Sequence, residues 1–118
     1  DTDFTARFCV VGPDGRSVNV QEGIVRARYR DSLTEPSPIA PGEIYRYRID
    51  LGPLAVKVPA GSAIRLDISS SDFPQWDRNL NTGGPIGCEG PLAAVTATQT
   101  VLHSGSYPSS LSLPVVRN

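Results

Sequence analysis

The sequence has few of the residues from which catalytic and metal sites are built. Its 118 residues include one histidine, two cysteines and no methionine. A structural zinc site needs four Cys, His or carboxylate ligands, and Cys9 and Cys88 are too far apart in the chain to form a CxxC pair. We therefore expect no metal site and no cofactor, and we interpret the two cysteines as independent thiols rather than a disulfide.

Motifs for common enzyme chemistry are also missing. The chain has no GxSxG, no GxxxxGK[ST] and no GxGxxG. Any Ser-His-Asp triad within it would have to use His103, which has Ser104 and Ser106 as close neighbours in sequence. Because a histidine at a strand end beside loop serines is more often a surface or capping residue, we predict no catalytic residue in this chain.

The charge is nearly balanced. Against 12 Asp plus Glu the chain has 11 Lys plus Arg, giving a formal net charge of -1. This charge offers no long-range attraction for phosphate backbones or anionic lipids. No apolar run reaches the roughly 18 residues of a membrane-spanning helix. We therefore expect neither nucleic acid nor a membrane as a partner.

Turn residues and alternating apolar runs are abundant. The 11 glycines and 11 prolines exceed average usage, and the runs between them alternate with the period of a β-strand. Gly12-Pro13-Asp14-Gly15 predicts a hairpin turn, and Gly23 is interpreted as the break before a third run. The predicted strands lie at 3–11, 18–20, 24–30, 45–51, 54–58, 64–68, 95–101 and 111–115. This pattern predicts a single all-β domain over residues 1–118, a sandwich or jelly roll.

The third and fourth runs carry a row of arginines on their predicted outer face. Two interpretations are open: a basic patch for an anionic ligand or partner, and cross-strand ion pairs with nearby acids. The near-neutral net charge favours ion pairs. The arginines are Arg26, Arg28, Arg30, Arg46 and Arg48, and the candidate acids are Glu22, Asp31, Glu43 and Asp50.

The least regular stretch is SSSDFPQWDRNLNTGG, residues 69–84. Asp77, Asn79 and Asn81 place oxygen atoms at positions 1, 3 and 5 of an EF-hand-like loop, but the glycine comes one place late, so we do not expect calcium binding. The whole connection from Asp72 to Pro91 is about twenty residues, and loops of that length are usually functional or mobile.

We interpret this loop as a packed structural loop at a domain junction, with a ligand-contacting loop as the alternative. Large aromatic side chains favour burial, so Phe73 and Trp76 are expected to anchor the loop on the sheet. Asp72 and Asp77 are expected to accept backbone N–H groups or to pair with Arg78. Asn79, Asn81, Gly83 and Gly84 are residue types that tolerate left-handed turns.

The same loop carries a family resemblance. The run S-S-S-D-F-P-Q-W-D-R-N-L-N-T-G-G resembles the signature of the C-terminal β-domain of X-Pro dipeptidyl-peptidase and cocaine-esterase type hydrolases, a family that includes glutaryl-acylase and α-amino-acid ester hydrolases. The resemblance covers nearly the whole chain. Similar segments occur in order as DTDFTARF, PDGRSVNVQEGIVRARYRDS, APGEIYRYRIDL, PAGSAIRLDISSSDFP and QTVLHSGSYPSSLSLPVV.

The resemblance implies a jelly-roll domain of galactose-binding-like architecture, attached to an α/β-hydrolase domain that carries a Ser-Asp-His triad. No catalytic residue of that family maps onto this chain. Because the family's β-domain has strands before the DTDFTA segment, the chain is expected to be an incomplete domain, the C-terminal piece of a longer hydrolase. A sheet without its first strands has unpaired edges that invite pairing with another chain, so the hypothesis includes a homo-oligomer.

The leading functional hypothesis is a non-catalytic domain that buttresses the hydrolase domain of the same protein and helps form its substrate cleft. The whole protein would hydrolyse esters or amides through an acyl-enzyme. An alternative is a free-standing carbohydrate-binding module in which Trp76 or Tyr107 stacks on a sugar. A third interpretation is an interaction domain that uses its arginine-bearing sheet.

Overall fold

The computed structural model describes residues 1–116, and in that range the chain forms one open antiparallel sheet. Strand β1 is Asp3–Val11, β2 is Ser17–Arg26 and β3 is Ala63–Ser69, in the spatial order β2-β1-β3. The helices within residues 1–116 are two 3-10 turns, Ala27–Tyr29 and Pro91–Ala93. The all-β prediction is confirmed, and an open sheet is consistent with an incomplete sandwich. The jelly-roll and galactose-binding-like details stay predictions.

The predicted hairpin joins β1 to β2. The Gly12 N–H donates to the Arg16 carbonyl at 2.8 Å and the Gly15 N–H donates to the Gly12 carbonyl at 2.9 Å. Gly15 has φ +79°, a conformation that favours glycine. In the ladder, Phe8 pairs with Gln21 whereas Cys9 pairs with Asn19. The register therefore shifts by one residue at a β-bulge.

Gly23 lies inside β2 and does not break it, so its interpretation as the start of a third strand is wrong. Gly23 pairs with Ala6, and a Cβ atom on it would lie 2.2 Å from the Asp50 carbonyl oxygen and 3.1 Å from Ile49 Cγ2. The absence of a side chain therefore allows another part of the backbone to pass directly over the sheet.

The segment that passes there is 45–53, of which residues 45–51 were predicted as a strand. Its side chains alternate as expected, but residues 45–53 lie across a sheet face and are not part of a ladder. The Tyr47 ring centroid is 4.8 Å from that of Phe4, and Gln21 Nε2 donates to the Pro53 carbonyl at 2.9 Å. The strand prediction is wrong because packing on the sheet, not hydrogen bonding beside it, satisfies the alternating pattern.

The predicted strands at 3–11, 18–20 and 64–68 are confirmed, as β1 and as parts of β2 and β3, but the remaining predicted strands differ from the structure. The runs at 54–58, 95–101 and 111–115 are not strands, because an extended segment becomes one only beside a hydrogen-bonding neighbour. The run at 24–30 is β2 as far as Arg26 and then turns into the first 3-10 helix, where the Ala27 N–H donates to the Thr2 carbonyl at 3.0 Å.

No helix within residues 1–116 is long and apolar enough to cross a membrane.

Burial is uneven across the sheet. Ala6 and Phe8 are buried beneath segment 45–53, and in the β1–β3 register they pair with Ile68 and Leu66 on the same face. Along β3, however, Ile64, Leu66 and Ile68 are 48%, 37% and 41% exposed. Segment 45–53 therefore covers the β1–β2 part of this face and leaves the β3 part open.

Both cysteines are free, which confirms their interpretation as independent thiols. Cys9 is buried in β1, with its Sγ 3.8 Å from Asp67 Oδ2 on the neighbouring strand. Cys88 is exposed in the long loop.

Candidate functional site: the loop at residues 72–91

The long loop predicted from the sequence follows β3 directly. Residues 72–91 contain turns and bends until the second 3-10 helix begins at Pro91. The first turn is closed by the Trp76 N–H, which donates to the Asp72 carbonyl at 3.2 Å. Contacts with the sheet and with residue 95 hold the rest of the loop in place.

Asp72 fixes the start of the loop to the sheet. Its carboxylate is buried and pairs with the Arg7 guanidinium, a residue at the middle of β1 whose side chain is about half exposed. The prediction that Asp72 pairs with Arg78 or caps the loop backbone is wrong for its side chain. Asp72 pairs with Arg7 because β1 lies next to β3, so the end of β3 places Asp72 beside β1.

Phe73 and Arg78 form the outward part of the loop. The Arg78 guanidinium lies 4.4 Å from the Phe73 ring centroid, within the range of a cation–π contact. Phe73 remains 56% exposed, so the prediction that it anchors the loop on the sheet is wrong. Trp76 is half-buried and Asp77 is exposed. The loop therefore offers an aromatic ring and a cation at its surface.

Asn79 joins the loop to the first residues of the chain. Its Nδ2 group donates to Asp1 Oδ2 at 2.9 Å and to Asp3 Oδ1 at 2.8 Å. The two carboxylates are also held by arginines, with Arg28 Nη2 2.8 Å from Asp1 Oδ2 and Arg26 Nη1 2.8 Å from Asp3 Oδ2. We call these five residues the acid–arginine cluster.

The acid–arginine cluster is largely shielded from water. Burial raises the pKa of Asp3 above its ordinary value, while the hydrogen bond from Asn79 and the charges of Arg26 and Arg28 act in the opposite direction. A buried carboxylate is costly unless it is paired and hydrogen-bonded. Asn79 and the arginines therefore allow two acids to lie side by side.

The far side of the loop is fixed by Asn81. Its backbone N–H donates to Asn79 Oδ1 at 2.9 Å, and its Nδ2 donates to the Val95 carbonyl at 2.9 Å. Asn81 has φ +60° and Gly83 has φ +84°, so both adopt left-handed turns. Neither Asn79 nor Gly84 has a positive φ, so these two residues do not use the left-handed conformation that their types tolerate. Asn79 is a bridging residue instead.

The arginine row is mostly internal. Arg26 and Arg28 pair with Asp3 and Asp1, and Arg30 Nε lies 3.2 Å from Asp31 Oδ2. The row therefore forms ion pairs, as expected, and Arg26–Asp3 is a cross-strand pair. Of the four candidate acids only Asp31 pairs with an arginine of the row, and it does so as the sequence neighbour of Arg30. The other three candidate acids are wrong as partners of the row: Glu43 and Asp50 form no ion pair within residues 1–116, and Glu22 lies 3.9 Å from Arg7. Arg46 and Arg48 are the exposed members of the row.

Sequence reasoning missed Asp1, Asp3 and Arg7 as ion-pair residues and assigned Asp72 the wrong partner. For Asp3 the sequence signal was incomplete, because the register set by the Gly12–Gly15 turn places Asp3 opposite Val25, and only the bulge between Phe8 and Cys9 brings Arg26 opposite it. No comparable local signal exists for Arg7 and Asp72, which lie 65 positions apart in the chain.

Little in the described residues suggests chemistry at this loop. His103 is exposed, and no hydrogen bond joins it to a serine or carboxylate within residues 1–116. A depression of about 330 Å³ near the loop is lined by polar groups of Asn19–Glu22 and by Gln75. Neither Trp76 nor Tyr107 lines it, and the carbohydrate-binding alternative stays a prediction.

Comparison with known proteins places the chain in a family. Residues 1–112 match the family model described as the X-Pro dipeptidyl-peptidase C-terminal non-catalytic domain. The chain belongs to this family. It is also 42% identical over 117 residues to the cocaine esterase of Rhodococcus sp. (strain MB1 Bresler), in an alignment that covers 99% of this chain and 20% of the esterase.

The residues that match the family model include all three strands and the whole 72–91 loop. The resemblance inferred from the loop sequence is thereby confirmed. The domain spans only 20% of the length of the esterase that it matches.

Proposed function

We propose that this domain is the non-catalytic C-terminal part of a serine hydrolase, in which it buttresses an α/β-hydrolase domain and helps form the substrate cleft. The match of residues 1–112 to a family described as non-catalytic carries the proposal. The 42% identity to a cocaine esterase supports an ester- or amide-hydrolysing parent. The reaction would proceed through an acyl-enzyme on a serine outside this chain.

The surface proposed to contact the hydrolase domain is the outer side of the 72–91 loop. The residues at the centre of this part of the loop are Phe73, Trp76, Asp77, Arg78 and Asn79. Phe73, Asp77 and Arg78 are exposed, whereas Asn79 faces the acid–arginine cluster and holds the loop in place. Phe73 is 56% exposed and Leu92, just beyond the loop, is fully exposed. Exposed aromatic and arginine side chains are enriched at the centres of protein interfaces.

A supporting role requires that this surface be held still. Asp72 pairs with Arg7 in β1, Asn79 is bound to Asp1 and Asp3, and Asn81 is bound to Val95. Because these contacts already order the loop, its binding to another domain loses less conformational entropy. The loop is therefore suited to present a fixed wall rather than a moving lid.

A chimera tests the proposal. Residues 1–118 replace the matching segment of the Rhodococcus cocaine esterase, and cocaine hydrolysis is measured for the chimera and for this chain alone. We expect the chimera to be active and the chain alone to be inactive towards p-nitrophenyl esters and X-Pro chromogenic peptides. Reproducible turnover by the chain alone that is lost in His103→Ala would overturn the proposal, and so would a folded but inactive chimera.

A further inference from the structure

Arg78 has a guanidinium that finds no acceptor in the described part of the chain. It is exposed and forms neither an ion pair nor a side-chain hydrogen bond within residues 1–116. Six other arginines pair with an acid there: Arg7, Arg16, Arg26, Arg28, Arg30 and Arg65. Because a guanidinium carries its N–H donors in a rigid planar fork that matches a carboxylate, the donors of Arg78 are available to an anionic partner.

The acid next to Arg78 in the chain is not that partner. Asp77 is exposed, but it forms no ion pair with Arg78 in the structure of residues 1–116. The Arg78 guanidinium lies instead over the Phe73 ring, 4.4 Å from its centroid. A cation–π contact restrains a guanidinium without neutralising its charge. The loop therefore orients Arg78 and leaves its positive charge uncompensated.

The residue that follows Arg78 fixes the backbone. Asn79 Nδ2 donates to Asp1 and Asp3, and Asn79 Oδ1 accepts the Asn81 N–H. Asn79 thus faces the acid–arginine cluster, whereas its neighbour Arg78 faces outward. A group that is held in place before it binds loses less conformational entropy when it binds. Arg78 is therefore suited to recognise one partner group in one geometry.

Covering this part of the loop would take the Arg78 charge out of water. In the proposed function the outer side of the 72–91 loop contacts the hydrolase domain, and Phe73 and Arg78 are exposed on that side. A guanidinium that is desolvated without a partner is costly, and a carboxylate that accepts two of its N–H groups offsets much of that cost. The surface that covers Arg78 must therefore bring its own anion.

We propose that Arg78 binds a carboxylate of the α/β-hydrolase domain. The inference rests on the proposed function and adds to it the chemistry of the partner. The domain spans 20% of the length of the esterase that it matches, so most of the polypeptide that can supply this carboxylate lies outside the chain. The Phe73 ring beside the guanidinium excludes water from one side of the pair, and the ion pair fixes the position of the loop on the hydrolase domain.

The first measurement identifies the partner by cross-linking in the active chimera with the Rhodococcus cocaine esterase. Arg78→Lys places a primary amine at this position, and a carbodiimide condenses that amine with a carboxylate that lies against it, taking up the released water. Mass spectrometry locates the joined residue. We expect a link from position 78 to an Asp or Glu of the hydrolase domain.

Arg46→Lys is the matched control, because Arg46 is also exposed and has no acid partner within residues 1–116. It should give no link to the hydrolase domain. A link from position 78 to Asp77 or to another acid of the β-domain would overturn the proposal. So would the absence of any link from position 78.

Arg78→Gln gives a second readout without cross-linking. Its loss of charge leaves the partner carboxylate uncompensated at the domain contact, so we expect the chimera to lose activity about tenfold faster at a fixed elevated temperature. Arg46→Gln should change that rate by less than about twofold, because it removes an exposed charge. Equal inactivation rates for the two variants would overturn the proposal.

The outcomes also separate this inference from the proposed function. A folded but inactive chimera without substitutions contradicts the proposed function. An active chimera whose inactivation rate does not respond to Arg78→Gln contradicts only the ion pair. If Arg78→Gln kept its thermal resistance but lost hydrolysis of a carboxylate-bearing p-nitrophenyl ester and not of a neutral one, the anion would belong to the substrate, and the proposed domain contact of Arg78 would be overturned.

Discussion

The side-chain amide of Asn79 lies 2.8 Å from a carboxylate oxygen of Asp3, although the two residues are 76 positions apart in the chain. The same amide reaches Asp1, so one neutral side chain in the loop holds two buried acids at the start of β1. This contact makes the position of the loop depend on the sheet.

Removal of the Asn79 amide should destabilise the domain. Asn79→Ala leaves the buried Asp3 Oδ1 without its donor, while Asp1 Oδ2 keeps its hydrogen bond from Arg28. An unsatisfied buried acceptor costs about 1–3 kcal/mol. Asn79→Asp should cost more, because it adds a third carboxylate to the cluster. Urea denaturation measures both effects. Asp77→Ala, at an exposed position in the same loop, is the control and should change the free energy of unfolding by less than about 0.5 kcal/mol.

The acid–arginine cluster also predicts a pH dependence. Burial raises the pKa of Asp3 above 3.8, and the Asn79 hydrogen bond partly opposes this. Asn79→Ala should therefore raise the pKa of Asp3 further, as measured by an NMR titration of its carboxyl carbon. An unchanged or lower pKa in the variant would contradict this account of the cluster.

The sign of the stability effect follows from the raised pKa. The folded chain binds the Asp3 proton more tightly than the unfolded chain does, so the contribution of Asp3 to the free energy of unfolding falls as pH rises from 3.8 through its folded pKa. Acidification should accordingly reduce the stability difference between Asn79→Ala and the wild type. If the stability difference between Asn79→Ala and the wild type grew as the pH fell, the account of Asp3 would be contradicted.

Gly23 should not tolerate a side chain. A Cβ atom there would lie 2.2 Å from the Asp50 carbonyl oxygen, so Gly23→Ala must displace segment 45–53. Overpacking of this kind costs about 1–3 kcal/mol. Gly90→Ala is the control, since a Cβ at Gly90 meets no atom within 4 Å and its φ is -72°. Equal thermal stability of the two variants would show that segment 45–53 does not pack on Gly23.

Local patterns predicted the features that depend on neighbouring residues. The Gly12–Gly15 turn, the strand at β1 and the alternation of residues 45–51 were all readable because each depends on a few adjacent side chains. Segment 45–53 shows the limit of that reasoning. An alternating pattern indicates one buried side, but it does not reveal whether a neighbouring strand is present to form a ladder.

Long-range partners could not be predicted in the same way. The composition suggested that acids near the arginine row would pair with it, yet the partners of Arg26 and Arg28 are Asp3 and Asp1. Phe73 was predicted to be buried on the basis of its size, whereas its ring is exposed beside Arg78. Family resemblance, in contrast, was readable from the loop sequence, because it depends on residue identity rather than on contacts.

The measurement that tests the central claim most directly is the effect of Phe73→Ser in two contexts, the chain alone and the esterase chimera. Leu33→Ser is the matched control, because Leu33 is 91% exposed and lies outside the loop. If the loop packs on the hydrolase domain, Phe73→Ser destabilises the chimera by about 1.5–3 kcal/mol. In the chain alone it costs only about 0.5–1 kcal/mol, the value of an exposed cation–π contact. Equal losses in both contexts, or a chimera that Leu33→Ser destabilises just as much, would contradict a domain contact at this loop.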